Sequence, residues 1–230
     1  MRTAAILPVK RFAEAKQRLG RSVADPLRLE LARAMVDDVL AALARTAALE
    51  RTILISSELT LSGCAREHGA LVLADTAESG QSAAVSLGIE YALAQGIERV
   101  LCVPGDCPAL DPDELESLLA QEGQAAGEAE VVILPDRHGS GTNGLLLSPP
   151  SAISPSFGPD SCGRHCTLAI AAGVAHRIER LPSLLLDIDT GDDLAVLRER
   201  LAGAGTAAPR TRSVLGQPAR PSVLPIARAG

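Results

Sequence analysis

Apolar residues fall into short blocks that alternate with stretches of helical period. Blocks at 3–7, 52–56, 71–73, 99–103, 131–134, 145–148, 175–181 and 184–190 read as strands. The first is stopped by Pro8, and the fourth by Pro104 and Gly105. Between them, Asp25-Pro26 opens a long helix to about Arg45. Its apolar stripe is Leu27, Leu31, Met35 and Val39, flanked by Val36, Leu40 and Leu43. Shorter helices are expected over about 61–68, from Ser79-Gly80-Gln81-Ser82 to about Ala94, and from near His165. Asp111-Pro112 is a helix start with Asp111 as N-cap and Glu114 completing a capping box. Thr190-Gly191-Asp192-Asp193 begins the last helix, to about Leu201. Strands alternating with helices predict one large α/β domain over residues 1–202. Residues 203–230 carry four Pro, four Arg and no acids, and read as a disordered, dispensable tail.

Composition narrows the function. The chain has 230 residues and 47% apolar content, enough for a sizeable core. Aromatics are 1% with no Trp, which argues against stacking platforms for nucleic-acid bases. The net charge of −6 gives no general attraction to nucleic acid or to a membrane surface. No membrane-length apolar run or signal peptide is visible, so a cytoplasmic protein is expected. Five cysteines with no short paired framework fit reduced thiols. Cys162, His165 and Cys166 crowd together but lack the second ligand pair of a zinc finger. Of the 22 basic residues only Lys10 and Lys16 are lysines, and both follow the first strand.

Three features carry chemistry. The loop 9–21 holds Lys10, Arg11, Lys16, Arg18 and Arg21 against one acid, Glu14, and suits a polyphosphate. It matches neither the Walker pattern nor a dinucleotide-binding glycine turn. Asp106 follows a strand's carboxyl end, where open α/β sheets bind ligands; it serves either there or as a turn stabiliser. Asp187 and Asp189 sit at period two and face one way. They repel each other unless a divalent cation with oxygen ligands, Mg²⁺ or Mn²⁺, lies between them. The competing reading makes them a cap and a solvated acid. Gly80 lets the backbone approach a ligand, with Gln81 or Ser82 near enough to read a base edge. The Gly-rich turn 136–144 can offer backbone N–H groups to an anion, and Ser161 with the helix start that follows can hold a phosphate. These parts fit metal-assisted nucleotidyl transfer.

The motifs Pro8-Val9-Lys10 with Ala15-Lys16, 104–110 (Pro-Gly-Asp-Cys-Pro-Ala-Leu), 136–143, 157–165 and Asp187-Ile188-Asp189-Thr190 resemble the guanylyltransferases of coenzyme F-420 biosynthesis. The resemblance spans about Ile6 to Leu194. It implies a single Rossmann-like nucleotidyltransferase domain with a mixed, mostly parallel sheet flanked by helices. It also implies transfer of GMP from GTP to phosphoenolpyruvate, with 2-phospho-L-lactate and 3-phosphoglycerate as alternative acceptors. Lys10, Lys16 and Asp106 would be catalytic, and Gly80, Gln81 and Pro104 would join them in binding the nucleotide. Thr142, Gly158 and Ser161 would bind the acceptor's phosphate, and Asp106, Asp187 and Asp189 would hold Mg²⁺. The family often has Gly-Leu-Asn or Pro-Leu-Asn where this chain has Gly80-Gln81-Ser82. A labile product favours hand-off to the next pathway enzyme. The oligomeric state, a homodimer among the options, is not legible in the sequence. The reading from another class is a nucleotide-binding regulator on the same fold, without turnover.

Overall fold

The computed structural model describes residues 1–12, 19, 24–121, 129–203 and 206–216. A seven-stranded sheet forms the centre. Its strands are β1 (Thr3–Val9), β2 (Arg51–Ser56), β3 (Leu71–Ala74), β4 (Arg99–Cys102), β5 (Glu130–Pro135), β6 (Thr142–Ser148) and β7 (Ala175–Ile178). The spatial order is β3-β2-β1-β4-β6-β5-β7, and only β6 runs antiparallel to its neighbours. Helices α1 (Asp25–Arg45), α2 (Ser62–Glu67) and α4 (Pro112–Ala120) cover one face. Helices α3 (Gln81–Ala94) and α5 (Ser161–Ala172) cover the other. The pleat sorts the core: Ala5 and Leu7 of β1 pack with Val36, Val39 and Leu40, while Ala4 and Ile6 pack with Val85 and Ile89. Among the described residues no helix is long and apolar enough to cross a membrane.

Two local expectations change. Asp111 does cap α4, accepting from Asp113 N at 2.9 Å, but Glu114 does not reach back to close a box. Its carboxylate instead accepts from Ser183 N at 2.9 Å, a tertiary donor. Residues 184–190 are not a strand. A 3₁₀ turn (Pro182–Leu184) leads into an extended segment without ladder partners. Its alternation survives, with Leu186 and Ile188 buried and Asp187 and Asp189 partly exposed.

The tail expectation also needs correcting. Helix α6 (Gly191–Ala202) is followed by α7 (Pro209–Val214), inside the segment taken as dispensable. Ala208, Thr211 and Arg212 are buried, and Ala208 packs in a third core cluster with Leu31, Met35, Leu197 and Leu201. Helix α7 lacks a capping side chain of its own, since Ala208 is its N-cap. Asp38 of α1 supplies the missing acceptor, taking Arg210 N at 3.0 Å and Thr211 N at 2.7 Å. The composition hid this because the partner acid lies far away in sequence. Residues 204–205 and 217–230 lie outside the described residues.

Candidate active site

The strand order reverses beside β1. Chain segments after β1 build outward through β2 and β3, and β4 returns to β1's other side. The carboxyl ends of β1 and β4 therefore flank a crevice, where ligands bind in such sheets. A cleft of about 820 Å³ opens there, and Lys10, Pro104 and Asp106 line it. Gly105 is required by close approach. A Cβ at that position would lie 3.0 Å from Val36 Cγ2 and 3.1 Å from Val9 Cγ2. The glycine lets the β4 loop lie against α1 and β1, which places Asp106 over the crevice.

A backbone bond then brings in the other acids. Ile188 N donates to the Asp106 carbonyl at 3.1 Å, laying residues 186–189 alongside the β4 loop. With Ile188 buried, Asp187 and Asp189 both face the cleft. Asn143 fixes Asp187, donating to its Oδ1 at 3.1 Å and to the Leu184 carbonyl at 2.7 Å. Burial and then the charge of Asp106 push the Asp187 carboxyl up, Asn143 pulls it down, and Asp189 adds to the rise. Thr190 and Asp193 close the capping box of α6 just beyond. Arg137 of the β5–β6 turn pairs with Asp193 at 2.5 Å, tying that turn to the acidic segment.

The remaining residues come from α3, β6 and the start of α5. Gly80 caps α3 with φ +100°, a conformation that favours glycine, and Gln81 lines the cleft behind it. Ser82 does not line the cleft. Its hydroxyl accepts from Phe157 N at 2.9 Å and anchors the 156–160 loop instead of reading a base. Thr142, Gly158 and Ser161 face the cleft together. Helix α5 starts at Ser161, four residues before the expected position.

His165 is fully buried, and both of its ring nitrogens have hydrogen-bond partners. Ser156 N donates to its Nε2 at 2.9 Å, so the neutral ring carries its proton on Nδ1. Nδ1 lies 3.0 Å from Thr142 Oγ1 and donates to it. The Thr142 hydroxyl hydrogen is thereby left to point elsewhere, as a donor for a ligand oxygen. Burial, reinforced by Arg164, lowers the His165 pKa from 6.5 to about 4 and keeps this arrangement at neutral pH. A depressed folded-state pKa contributes stability above pH 6.5 that is lost as pH falls to about 4. Melting curves across that window should fall more steeply for the wild type than for His165→Asn, by about 3 kcal/mol at most. Parallel pH profiles would remove His165 from that linkage.

The donor set suits a hard divalent cation. Seven carboxylates line the cleft (Asp75, Glu78, Asp106, Asp136, Asp160, Asp187 and Asp189), against Lys10 and Arg11 among the described residues. Polyanionic substrates would be repelled there unless a cation with a preference for oxygen ligands intervened. The acids at 106, 187 and 189 do not bring three ligand oxygens within 4.8 Å of one another, so as they stand they do not all meet at one ion. Among the described residues, the only group of three whose ligand atoms all lie within 4.8 Å of one another is Asp37, Cys64 and His68. One ion in the cleft would take some of these acids directly and reach the rest through substrate oxygens or water.

Of the residues singled out in the sequence, Lys10, Gly80, Gln81, Pro104, Asp106, Thr142, Gly158, Ser161, Asp187 and Asp189 surround this one cleft. Lys16 lies outside the described residues. Sequence reasoning placed Arg137 and Asn143 in the 136–143 motif and His165 in the 157–165 motif but gave none of them a role of its own. Asn143 and Arg137 stood inside a turn rich in glycine, and His165 stood beside two cysteines that drew attention to zinc.

Several solved structures that share this fold are described as nucleotidyl or nucleotide-sugar transferases. A putative nucleotide-diphospho-sugar transferase from Desulfovibrio desulfuricans superposes with a TM-score of 0.73 at 17% identity, covering 94% of this chain and 95% of that one. A nucleotidyl transferase from Methanothermobacter gives 0.65 at 18% identity, covering 86% and 97%. At such identities the likeness concerns the fold, which is that of a Rossmann-like nucleotidyltransferase. The model of the family described as "Guanylyl transferase CofC like" matches residues 3–215. A phosphoenolpyruvate guanylyltransferase from Conexibacter woesei is 48% identical over 217 residues, 94% of this chain and 96% of its own length. One from Sphaerobacter thermophilus is 36% identical over 88% of this chain and 94% of its own length. The chain belongs to the CofC-like guanylyl transferase family.

Proposed function

We propose that this protein joins GTP to phosphoenolpyruvate, giving enolpyruvoyl-diphospho-guanosine and pyrophosphate, in coenzyme F-420 biosynthesis. The relatives' names support the acceptor. The observation that supports the chemistry is the presence of Asp106 and Asp187 in the lining of the same cleft as Thr142 and Ser161. A phosphate oxygen of the acceptor attacks the α-phosphorus of GTP. The bond from that phosphorus to the oxygen bridging to the β-phosphorus breaks, and pyrophosphate leaves. The acceptor's phosphate is already ionised near pH 7, so no side chain has to remove a proton.

Thr142 donates its hydroxyl hydrogen to the acceptor's phosphate, with Gly158 and Ser161 beside it. Gln81 meets the base, and Lys10 and Lys16 neutralise the departing pyrophosphate. Asp106, Asp187 and Asp189 would hold Mg²⁺ between them, directly or through water and substrate oxygens, and the ion would offset charge on the reacting phosphates. The cytoplasm, where GTP is available, suits this reaction.

Pyrophosphate release with GTP and Mg²⁺ against phosphoenolpyruvate, 2-phospho-L-lactate and 3-phosphoglycerate tests this reading. Turnover confined to either of the other two acids would reassign the acceptor. GTP binding without turnover on any of them would favour a regulator. Lys10→Ala should raise the KM for GTP about ten- to a hundredfold while barely moving that for the acceptor, because a charge-assisted contact to phosphate is lost. An unchanged GTP dependence would take Lys10 out of that role.

A further inference from the structure

Three side chains outside the cleft converge as metal ligands do. Cys64 and His68 are one turn apart on α2 and at its C-cap, a spacing that sets both on one face. Asp37 of α1 faces them, and its Oδ1 lies 2.6 Å from His68 Nε2. One ligand atom from each of the three lies within 4.8 Å of the other two. None of the three lines the cleft. His68 and Asp37 side chains are each 19% exposed, so an ion can enter while most of its surroundings stay shielded.

We propose that Asp37, Cys64 and His68 form a second metal site, which takes one divalent cation of the zinc class. In the metal-free chain the His68 ring pairs with the Asp37 carboxylate, and the Cys64 sulfur lies within 4.8 Å of both. An ion among the three ligand atoms takes the place of the His68–Asp37 contact. On binding, the thiol proton goes to solvent and the His68 proton moves to Nδ1. A sulfur–metal, a nitrogen–metal and an oxygen–metal bond form. The carboxylate and thiolate together carry two negative charges, which balance a divalent ion. Sulfur, imidazole and carboxylate suit Zn²⁺ or Co²⁺, whereas Mg²⁺ prefers oxygen alone. Arg210 pairs with Asp37 at 3.4 Å through a 64% exposed side chain, and its outward movement would leave a fourth position for water. The bound ion would staple the six-residue α2 to the long α1.

The test uses the full chain, stripped with chelator and returned to excess Mg²⁺ so that the cleft acids are occupied. Titration with Co²⁺ should give a sulfur-to-cobalt charge-transfer band that saturates at one ion per chain and is abolished by Zn²⁺. The melting temperature should rise by about 5–10 °C at a free ion concentration a hundred times the Kd. Cys64→Ser should abolish the band, His68→Gln should weaken binding at least tenfold, and Cys162→Ser and Cys166→Ser should leave it intact. Circular dichroism of each variant, with His68→Gln as the second route if Cys64→Ser unfolds, separates lost ligation from lost structure. Absence of the band in the wild type, its survival in Cys64→Ser, or unweakened binding in folded His68→Gln would overturn the site and leave a hydrogen-bonded hub.

Discussion

Asp106→Asn is expected to cut pyrophosphate release about a hundred- to a thousandfold, the usual effect of removing one electrostatic contact to a transition state, about 3–4 kcal/mol. The substitution keeps the shape and removes one charge. Asp187→Asn and Asp189→Asn should fall in the same range, because the Ile188–Asp106 backbone bond holds all three acids beside one crevice. Folding should survive in each case. Asp187 is the informative one for stability. Burial and then the charge of Asp106 raise its pKa, so its stabilising contribution is complete below the ordinary value of 3.8 and is lost as pH rises through the raised one. At neutral pH the ionised carboxylate is therefore a liability without a cation. Metal-free Asp187→Asn should melt above metal-free wild type, and the gap should close on acidification or on adding Mg²⁺ with GTP. Turnover and melting temperature of each variant, with and without Mg²⁺, check this. Near-normal turnover in Asp106→Asn, or a wild type whose melting ignores Mg²⁺ and GTP together, would return these residues to turn and cap roles.

Removing α7 should be the most damaging change outside the cleft. A chain ended after residue 203 loses Ala208, Thr211 and Arg212 from the interior and uncovers Leu197, Leu201 and Met35. It also strips Asp38 of the two N–H donors that help an acid already raised by burial. A loss of about 3–5 kcal/mol is expected, the range for orphaning a buried charge. In a chain this long that lowers the melting temperature by about 10 °C. A chain ended after residue 216 is the control and should retain the stability of the whole. Asp38→Ala in the full chain should reproduce much of the loss, since two helix-start N–H groups then lack an acceptor, while Asp38→Asn, with one oxygen left, should lose less. Equal melting temperatures for the two truncations would show that α7 adds nothing to the body.

The two sets of acids show why some of this was legible in order and some was not. Asp106 announced itself by following a strand that ended in Pro104-Gly105. Asp187 and Asp189 announced themselves by their period-two spacing, and that alternation held even though their segment is not a strand. Burial of Leu186 and Ile188 is enough to turn both acids outward, and burial follows from the apolar pattern without needing a ladder partner. Asp38 gave no such signal. It stands mid-helix as one of two adjacent acids, and its partners lie more than 170 residues away. Glu114 gave the wrong one, because a local capping rule cannot see Ser183 N approaching from another part of the chain.

The same division holds across the molecule. Hydrophobic period, proline and glycine punctuation and motif spacing are local properties. They set the alternation of strands and helices, the ends of β1 and β4, the α6 start at Thr190, and the residue types around the cleft. Which strand lies beside which, and so where the crevice opens, depended on packing among segments far apart in sequence. So did the tautomer of His165, which two partners at 142 and 156 impose, and the direction of the Thr142 hydroxyl that follows from it. The dependence of α7 on Asp38 belongs here too. A hydrogen bond needs both partners within about 3 Å, and for pairs separated by tens of residues only the folded chain brings them that close.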